Sequence, residues 1–169
     1  MARMLSRGRT KVAVLTAEPA DPAAPTVTEL AAGIDAADLI PSSMWNWTVG
    51  DPTTEDDTPL SSEADQEVPV ADTYDLSFGV YRGYLAAGGV DPTGDALFEA
   101  VKERGTTLWI YARKTDKLST EAWAASDEIY LGGEVTTSSP KDVEGGYIKF
   151  EVPLFPVKMQ KFITAAAGA

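Results

Sequence analysis

Lys11 to Ala17, KVAVLTA, is an unbroken apolar and β-branched run, which predicts a strand. The Pro/Ala stretch AEPADPAAP (17–25) interrupts it. Thr26-Val-Thr-Glu29 fits the capping box S/T-x-x-E, in which the Thr side chain caps the helix and Glu reaches back. Val27, Leu30, Ala31 and Ile34 then share one helical face, and Gly33 is a natural stop. Ser43 to Val49, SMWNWTV, alternates, with Trp45, Trp47 and Val49 on the face expected to be buried. Tyr74 to Leu85, YDLSFGVYRGYL, is a strand whose Leu76, Phe78, Val80, Arg82 and Tyr84 share a face. Gly79 and Gly83 on its other face predict a bulge or a close backbone approach.

Asp95 to Arg104, DALFEAVKER, is the clearest helix. Asp91 or Thr93 can cap it, Leu97, Phe98 and Val101 form its apolar stripe, and Gly105 ends it. Three strands follow: Thr106 to Arg113, Glu128 to Thr137 with an expected break at Gly132-Gly133, and Tyr147 to Leu154. The order, about six strands with a central helix, predicts a mainly β protein. Its expected architecture is an antiparallel β-sandwich or barrel with one flanking α-helix.

Two segments fall outside this pattern. Asp51 to Asp72 holds three prolines, eight acids and few apolar residues, so it is expected to be a long exposed loop. The C-terminal stretch, FPVKMQKFITAAAGA, is partly apolar and ends in small residues, so it is expected to be loosely held unless a partner takes it. The expected organisation is therefore a basic N-terminal arm (1–11), a β-sandwich domain (12–152) carrying the acidic loop (50–72), and a C-terminal arm (153–169).

Composition narrows the chemistry. The chain has 169 residues, 44% of them hydrophobic, which suits one domain with a real core. No apolar run approaches the roughly 20 residues of a membrane span. Val12 to Leu15 is too short for the apolar segment of a signal peptide, so neither secretion by a signal peptide nor membrane attachment is expected. There are no cysteines and no histidines. Disulfides, thiolate catalysis, Cys or His metal sites and His-based triads are thereby excluded.

The net charge of −12 is segregated. Arg3, Arg7, Arg9 and Lys11 give residues 1–11 a charge of +4. Residues 12–81 hold fourteen acids and no base. Residues 82–169 are nearly balanced, with ten bases and twelve acids. A basic arm and an acidic surface on one chain are complementary, which points to an acidic protein partner or a second copy rather than to nucleic acid. No Lys/Arg cluster of the body offers a phosphate-binding face.

Other constellations are weak. Asp51, Thr53, Glu55 and Asp57 have the alternate spacing of a calcium loop, but Asp56 stands where Gly is required and Ser62 where the bidentate Glu belongs. Glu121 near Trp123, and Asp127-Glu128 near Tyr130, are candidate carboxylates for glycoside hydrolysis without a family signature. Trp45, Trp47, Trp109, Trp123 and Tyr81 are candidates for a sugar-binding platform, although strand aromatics at alternate positions are more often core. No phosphate-binding glycine motif precedes a helix.

The stretch Ala24-Pro25-Thr26-Val27, Glu29-Leu30, Ala32-Gly33, placed after a first strand, resembles the major tail (tail tube) proteins of long-tailed phages that infect actinobacteria. The layout also fits: a long loop after the second strand, one helix, a closing run of strands and a C-terminal arm. The resemblance implies a structural virion protein without cofactors or enzymatic activity. Six subunits would close into a ring by joining their sheets, and rings would stack into a hollow tube. The tube would enclose the tape-measure protein, meet a tail terminator at one end and distal tail or baseplate proteins at the other, and conduct DNA without binding it. The arms and the long loop would make the ring-to-ring contacts, with Arg3, Arg7, Arg9, Lys11, Asp51, Glu55, Asp56, Asp57, Glu63, Phe155, Lys158 and Phe162 as candidate residues. An acidic lining suits passage of phosphate, the reverse of a binding surface. The alternatives are a tail terminator or head–tail joining protein of the same fold, a glycan-binding sandwich, and an enzyme using Glu121 or Glu128.

Overall fold

The computed structural model describes residues 5–61 and 64–168. In chain order its elements are β1 (Thr10–Leu15), α1 (Val27–Ala32), β2 (Ile34–Asp35), a short 3-10 turn (Ser42–Met44), β3 (Trp45–Val49), β4 (Thr53–Asp56), β5 (Glu67–Ala71) and β6 (Tyr74–Tyr81). There follow α2 (Ala96–Val101), β7 (Thr107–Lys114), β8 (Glu128–Thr137), β9 (Lys141–Val143) and β10 (Lys149–Thr164). Among the described residues, eight strands form one antiparallel sheet in the order β2-β1-β7-β8-β10-β6-β3, with β9 also on β10, and the sheet curls into a half-barrel. This is the expected mainly β architecture, with two helices where one flanking helix is expected.

The main core fills the curl. Val12 and Val14 of β1, Leu108 and Ile110 of β7, Leu131 and Val135 of β8, Leu76, Phe78 and Val80 of β6, and Trp47 of β3 meet Leu97 and Val101 of α2 there. A second cluster lies on the other face of β1 and β7: Ala13, Leu15, Leu30, Tyr111, Trp123, Ile129 and Ala165. Both faces of β1 are thus covered, which is why KVAVL reads as a continuous run instead of alternating.

α1 begins as its capping box requires. The Glu29 N–H donates to Thr26 Oγ1 at 3.2 Å, and Glu29 Oε2 accepts from the Thr26 N–H at 2.8 Å. Hydrogen bonds from the Ala20 and Thr26 N–H groups and the Thr26 hydroxyl hold the Glu29 carboxyl below its ordinary range. The expected four-residue face does not form. Leu30 is buried and Val27 packs beside it, but Ala31 is exposed. Ile34 has left the helix, pairs with Val14 and joins the opposite core cluster. Gly33 stops the helix in extended conformation, and a Cβ there would sit 3.0 Å from the Val14 carbonyl oxygen.

Two further expectations are corrected. β8 runs unbroken through Gly132-Gly133. These glycines make room: a Cβ on Gly132 would meet the Tyr111 ring at 2.4 Å, and one on Gly133 the Lys158 carbonyl oxygen at 2.1 Å. Small residues in a strand here permit close approach rather than a break. The C-terminal stretch is not loosely held through most of its length, because β10 continues to Thr164 and pairs with β8 from Leu154 onward. Beyond it, Ala166 exchanges backbone hydrogen bonds with Pro25 and Val27, which ties the chain end to the start of α1.

α2 is shorter than the helical pattern predicts, and Asp95 at its start makes no side-chain cap. Its buried carboxylate instead takes a bidentate pair from Arg82, at 2.8 and 2.9 Å, and the Gly83 N–H at 2.9 Å. The Arg82 guanidinium also lies 4.0 Å from the centre of the Phe98 ring. Pairing with Asp95 raises the Arg82 pKa against the opposing effect of burial.

Candidate assembly surfaces

The basic arm is only partly free. Arg3 lies outside the described residues. Arg7 is exposed and lines a groove of about 470 Å³ together with Lys114. Arg9 is half-buried and donates to the Asp116 carbonyl, while the Gly8 carbonyl accepts from the Ser119 N–H at 2.9 Å. Lys11 is a buried member of β1, paired with Asp35 at 2.5 Å and donating to the Ser119 carbonyl at 3.1 Å. Its charge is consumed within the chain, because a strand position under the 115–119 loop must pair its ammonium to be buried at all.

The acidic segment is a hairpin, not an irregular loop. β4 and β5 pair antiparallel from Thr53↔Ala71 to Asp56↔Glu67, and the Asp57 N–H donates to the Gln66 carbonyl at 3.0 Å. Every residue of both strands is exposed. Asp51, Glu55, Asp56 and Asp57 all sit on this projection, whereas Glu63 lies outside the described residues. The Thr58 hydroxyl and N–H bind Asp56, at 2.5 and 3.0 Å, and hold its carboxyl below the ordinary range. The base is fastened by the Gly50 N–H to the Thr73 carbonyl (2.8 Å) and by an ion pair from Lys161 of β10 to Asp72. That pair raises the pKa of the Lys161 ammonium. Sequence reasoning missed the hairpin, although the alternation in Glu67-Val68-Pro69-Val70 was a signal for it; the prolines and acids outweighed it. It also missed Val68, Val70 and Leu60 as exposed apolar groups, at 46%, 56% and 109% exposure.

The outer part of β10 forms the third surface. β6 pairs with β10 only as far as Pro153↔Ser77, while β8 pairs on the opposite side through Thr164. Among the described residues, no strand covers the remaining edge of 154–164. Phe155, Val157 and Phe162 are exposed along it, as is Lys158. Phe162 has a φ of 52°, a left-handed conformation that is costly for a bulky residue. A strained aromatic facing solvent gains nothing for the fold of the single chain, which points to a role outside it.

Several of the other candidates are occupied by structural duties. Arg113 is fully buried, and it binds Asp127 at 2.7 Å and the carbonyls of Leu118, Glu121 and Ala122. Burial pushes the Asp127 carboxyl up, but hydrogen bonds from Lys117, the Ala124 N–H and Arg113 outweigh it, and the group ends below its ordinary range. Glu121 accepts from the Leu118 N–H at 2.7 Å. Trp45 and Trp47 stack at 5.2 Å, but Trp47 is buried with its indole N–H on the Leu131 carbonyl, and Trp123 is buried against Arg113. Trp47 and Trp123 are core, not a platform, while Trp45 is partly buried and lines the groove beside Arg7. Thr53 and Glu55 of the calcium-like spacing lie on extended backbone, where alternate residues stand roughly 7 Å apart. Among the described residues no group of three or more acidic side chains is placed to hold a metal ion.

What remains unaccounted for is a curled β domain with a projecting hairpin and an uncovered sheet edge, both rich in groups that a single chain does not use. The model of one protein family, described as phage tail tube protein, matches residues 1–169. The chain belongs to the phage tail tube protein family. It is a structural component of the virion tail, self-assembling and associated with other tail components. No curated protein and no solved structure matches this tail tube protein. No helix among its described residues is long and apolar enough to cross a membrane.

Proposed function

We propose that this tail tube protein closes into hexameric rings that stack into a hollow tube around the tape-measure protein, and that the emptied tube conducts DNA into the host. A long-tailed phage of an actinobacterial host is the proposed source. The carrying observation is the hairpin β4–β5, which is regular yet wholly exposed. An isolated two-stranded hairpin is marginal in water and gains from lying on a neighbour. The uncovered edge of β10 supports the same reading, because an exposed edge is an association hazard that ring closure removes. Head-to-tail stacking of rings then propagates without end.

Met1 to Lys11, Gly50 to Asp72 and Pro153 to Ala169 are the proposed contact segments between rings, with Arg7, the hairpin acids, Phe155, Lys158 and Phe162 at their surfaces. Acids facing the lumen would repel phosphate and let DNA pass without sticking. The tube would end on a terminator and on distal tail or baseplate proteins. Electron microscopy of concentrated purified protein tests this. Hollow tubes of stacked rings are expected. A dispersed monomer at every concentration overturns the reading, and single rings that never stack would assign the chain to a terminator or joining role instead.

A further inference from the structure

The groove beside the N-terminal arm and the tip of the hairpin have complementary shapes and charges. The groove, about 470 Å³, has an apolar floor of Val12, Ile40 and Trp45. Its rim carries Arg7 and Lys114 against a single acid, Asp38. A cavity of that size accepts one or two large side chains. At the far end of the chain's projection, Leu60 is the most exposed large hydrophobic residue among those described, at 109%. It closely follows Asp56 and Asp57 on one side, and Asp65 lies on the returning side. Within one chain the two do not meet, since Leu60 is fully exposed.

We infer that the groove is the seat for the hairpin tip of a second copy of this chain: Leu60 inserts over Trp45, Val12 and Ile40, and the acids beside it meet Arg7 and Lys114. The inference rests on the stacking reading and names its contact. Three observations favour this occupant. The tip is an apolar knob without a socket among the described residues of its own chain. The groove is an apolar floor with a cationic rim, and the hairpin is acidic, carrying Asp56, Asp57 and Asp65 around Leu60. The two features sit on different segments, so each copy offers one knob and one socket, the head-to-tail arrangement that extends a filament.

Because the chain contains no cysteine, disulfide trapping has a clean background. Leu60→Cys and Ser42→Cys are made in separate full-length proteins; both positions are exposed, and Ser42 lines the groove. The two proteins are mixed, assembled and mildly oxidised. A linked pair joining position 60 of one chain to position 42 of another is expected, identified by peptide mass. Glu144→Cys, also exposed, serves as the control and should link to position 60 no more than background. Leu60→Ala should raise the protein concentration needed for tubes by about tenfold, the effect of losing one buried Leu side chain. Normal tubes with no 60–42 disulfide overturn the seat while leaving stacking intact. Wild-type protein that never forms tubes overturns the stacking reading, and the seat with it.

Discussion

Val12 and Val14 lie two apart on β1, and Val68 and Val70 lie two apart on β5. The residue types and spacing are the same, yet the first pair is 2% and 0% exposed and the second 46% and 56%. The difference is coverage. β1 lies between β2 and β7, with α2 and β6 over one face and α1 over the other. Among the described residues, β5 pairs only with β4, and every one of its residues is exposed. Burying a valine side chain contributes about 1.5 kcal/mol or more. The first pair contributes this to the fold, and the second leaves it available to a partner. One region of the molecule holds the fold together, and the other is left exposed for the proposed contact with a neighbour.

The same contrast holds for charge. Asp95, Asp127 and Lys11 are buried and paired within the chain, and their partners close loops onto the sheet. The hairpin acids are exposed, and the Asp72–Lys161 pair at its base is exposed on both sides. A surface pair contributes little to stability, whereas removing one member of a buried pair leaves an uncompensated charge.

The sharpest test of this division is Asp95→Ala. It strands Arg82 against Phe98 and leaves the Gly83 N–H unpaired, and should cost about 3–5 kcal/mol in urea denaturation. Asp127→Asn should cost about 3 kcal/mol at neutral pH by leaving Arg113 without its charge partner. Its pH dependence gives a second reading. The folded carboxyl titrates below the unfolded value of about 3.8, so the unfolded chain binds more protons and stability rises with pH through this range. The contribution is complete above the unfolded value and is lost as pH falls through the lower, folded one. Thermal melts of wild type should therefore decline more steeply below pH 4 than those of Asp127→Asn; parallel declines would mean that the pair does not stabilise the fold.

Replacing residues 54–70 by a short Gly/Asn turn should change the unfolding free energy by less than about 1 kcal/mol, since the hairpin buries nothing in the core, while abolishing tube assembly. A large loss of thermal stability would place the hairpin with the fold and dissolve the contrast between the two regions. Phe162→Gly should have the smallest effect on the single chain. Relief of the left-handed backbone, about 1–2 kcal/mol, exceeds the entropic cost of glycine, about 0.5–1 kcal/mol. The monomer should gain about 0.5 kcal/mol and assemble less well. A variant that assembles as wild type would remove Phe162 from the contact surface.

Local chemistry makes much of the fold legible. The box Thr26 to Glu29 places α1 without reference to anything else, because its partners are three residues apart. The positions of β1, β3, β6, β7, β8 and the first part of β10 follow from composition and period. The absence of cysteine and histidine removes whole classes of chemistry whatever the fold. Long-range placement is not legible in the same way. The acidic hairpin reads as a loop because its ladder joins residues up to 18 apart, and proline-rich composition masks such pairing. Gly132 and Gly133 read as a break because the ring and the carbonyl that need their space come from Tyr111 and Lys158, each more than twenty residues away.

The sequence by itself determined where regular structure starts, which faces are apolar and how the charge is divided along the chain, because these depend on neighbours a few residues apart. Only the tertiary structure decided which of those faces and charges are used up inside the chain. Lys11 in a basic arm is buried because a carboxylate and a carbonyl from the distant Asp35 and Ser119 meet it, and Arg113 in a strand because the loop that follows it folds back to supply Asp127 and three carbonyls. Leu60, Val68 and Phe155 stay exposed because no segment of the described chain folds back to cover them. Burial is a property of the whole packing, and what the packing leaves uncovered is the surface from which a tube can be built.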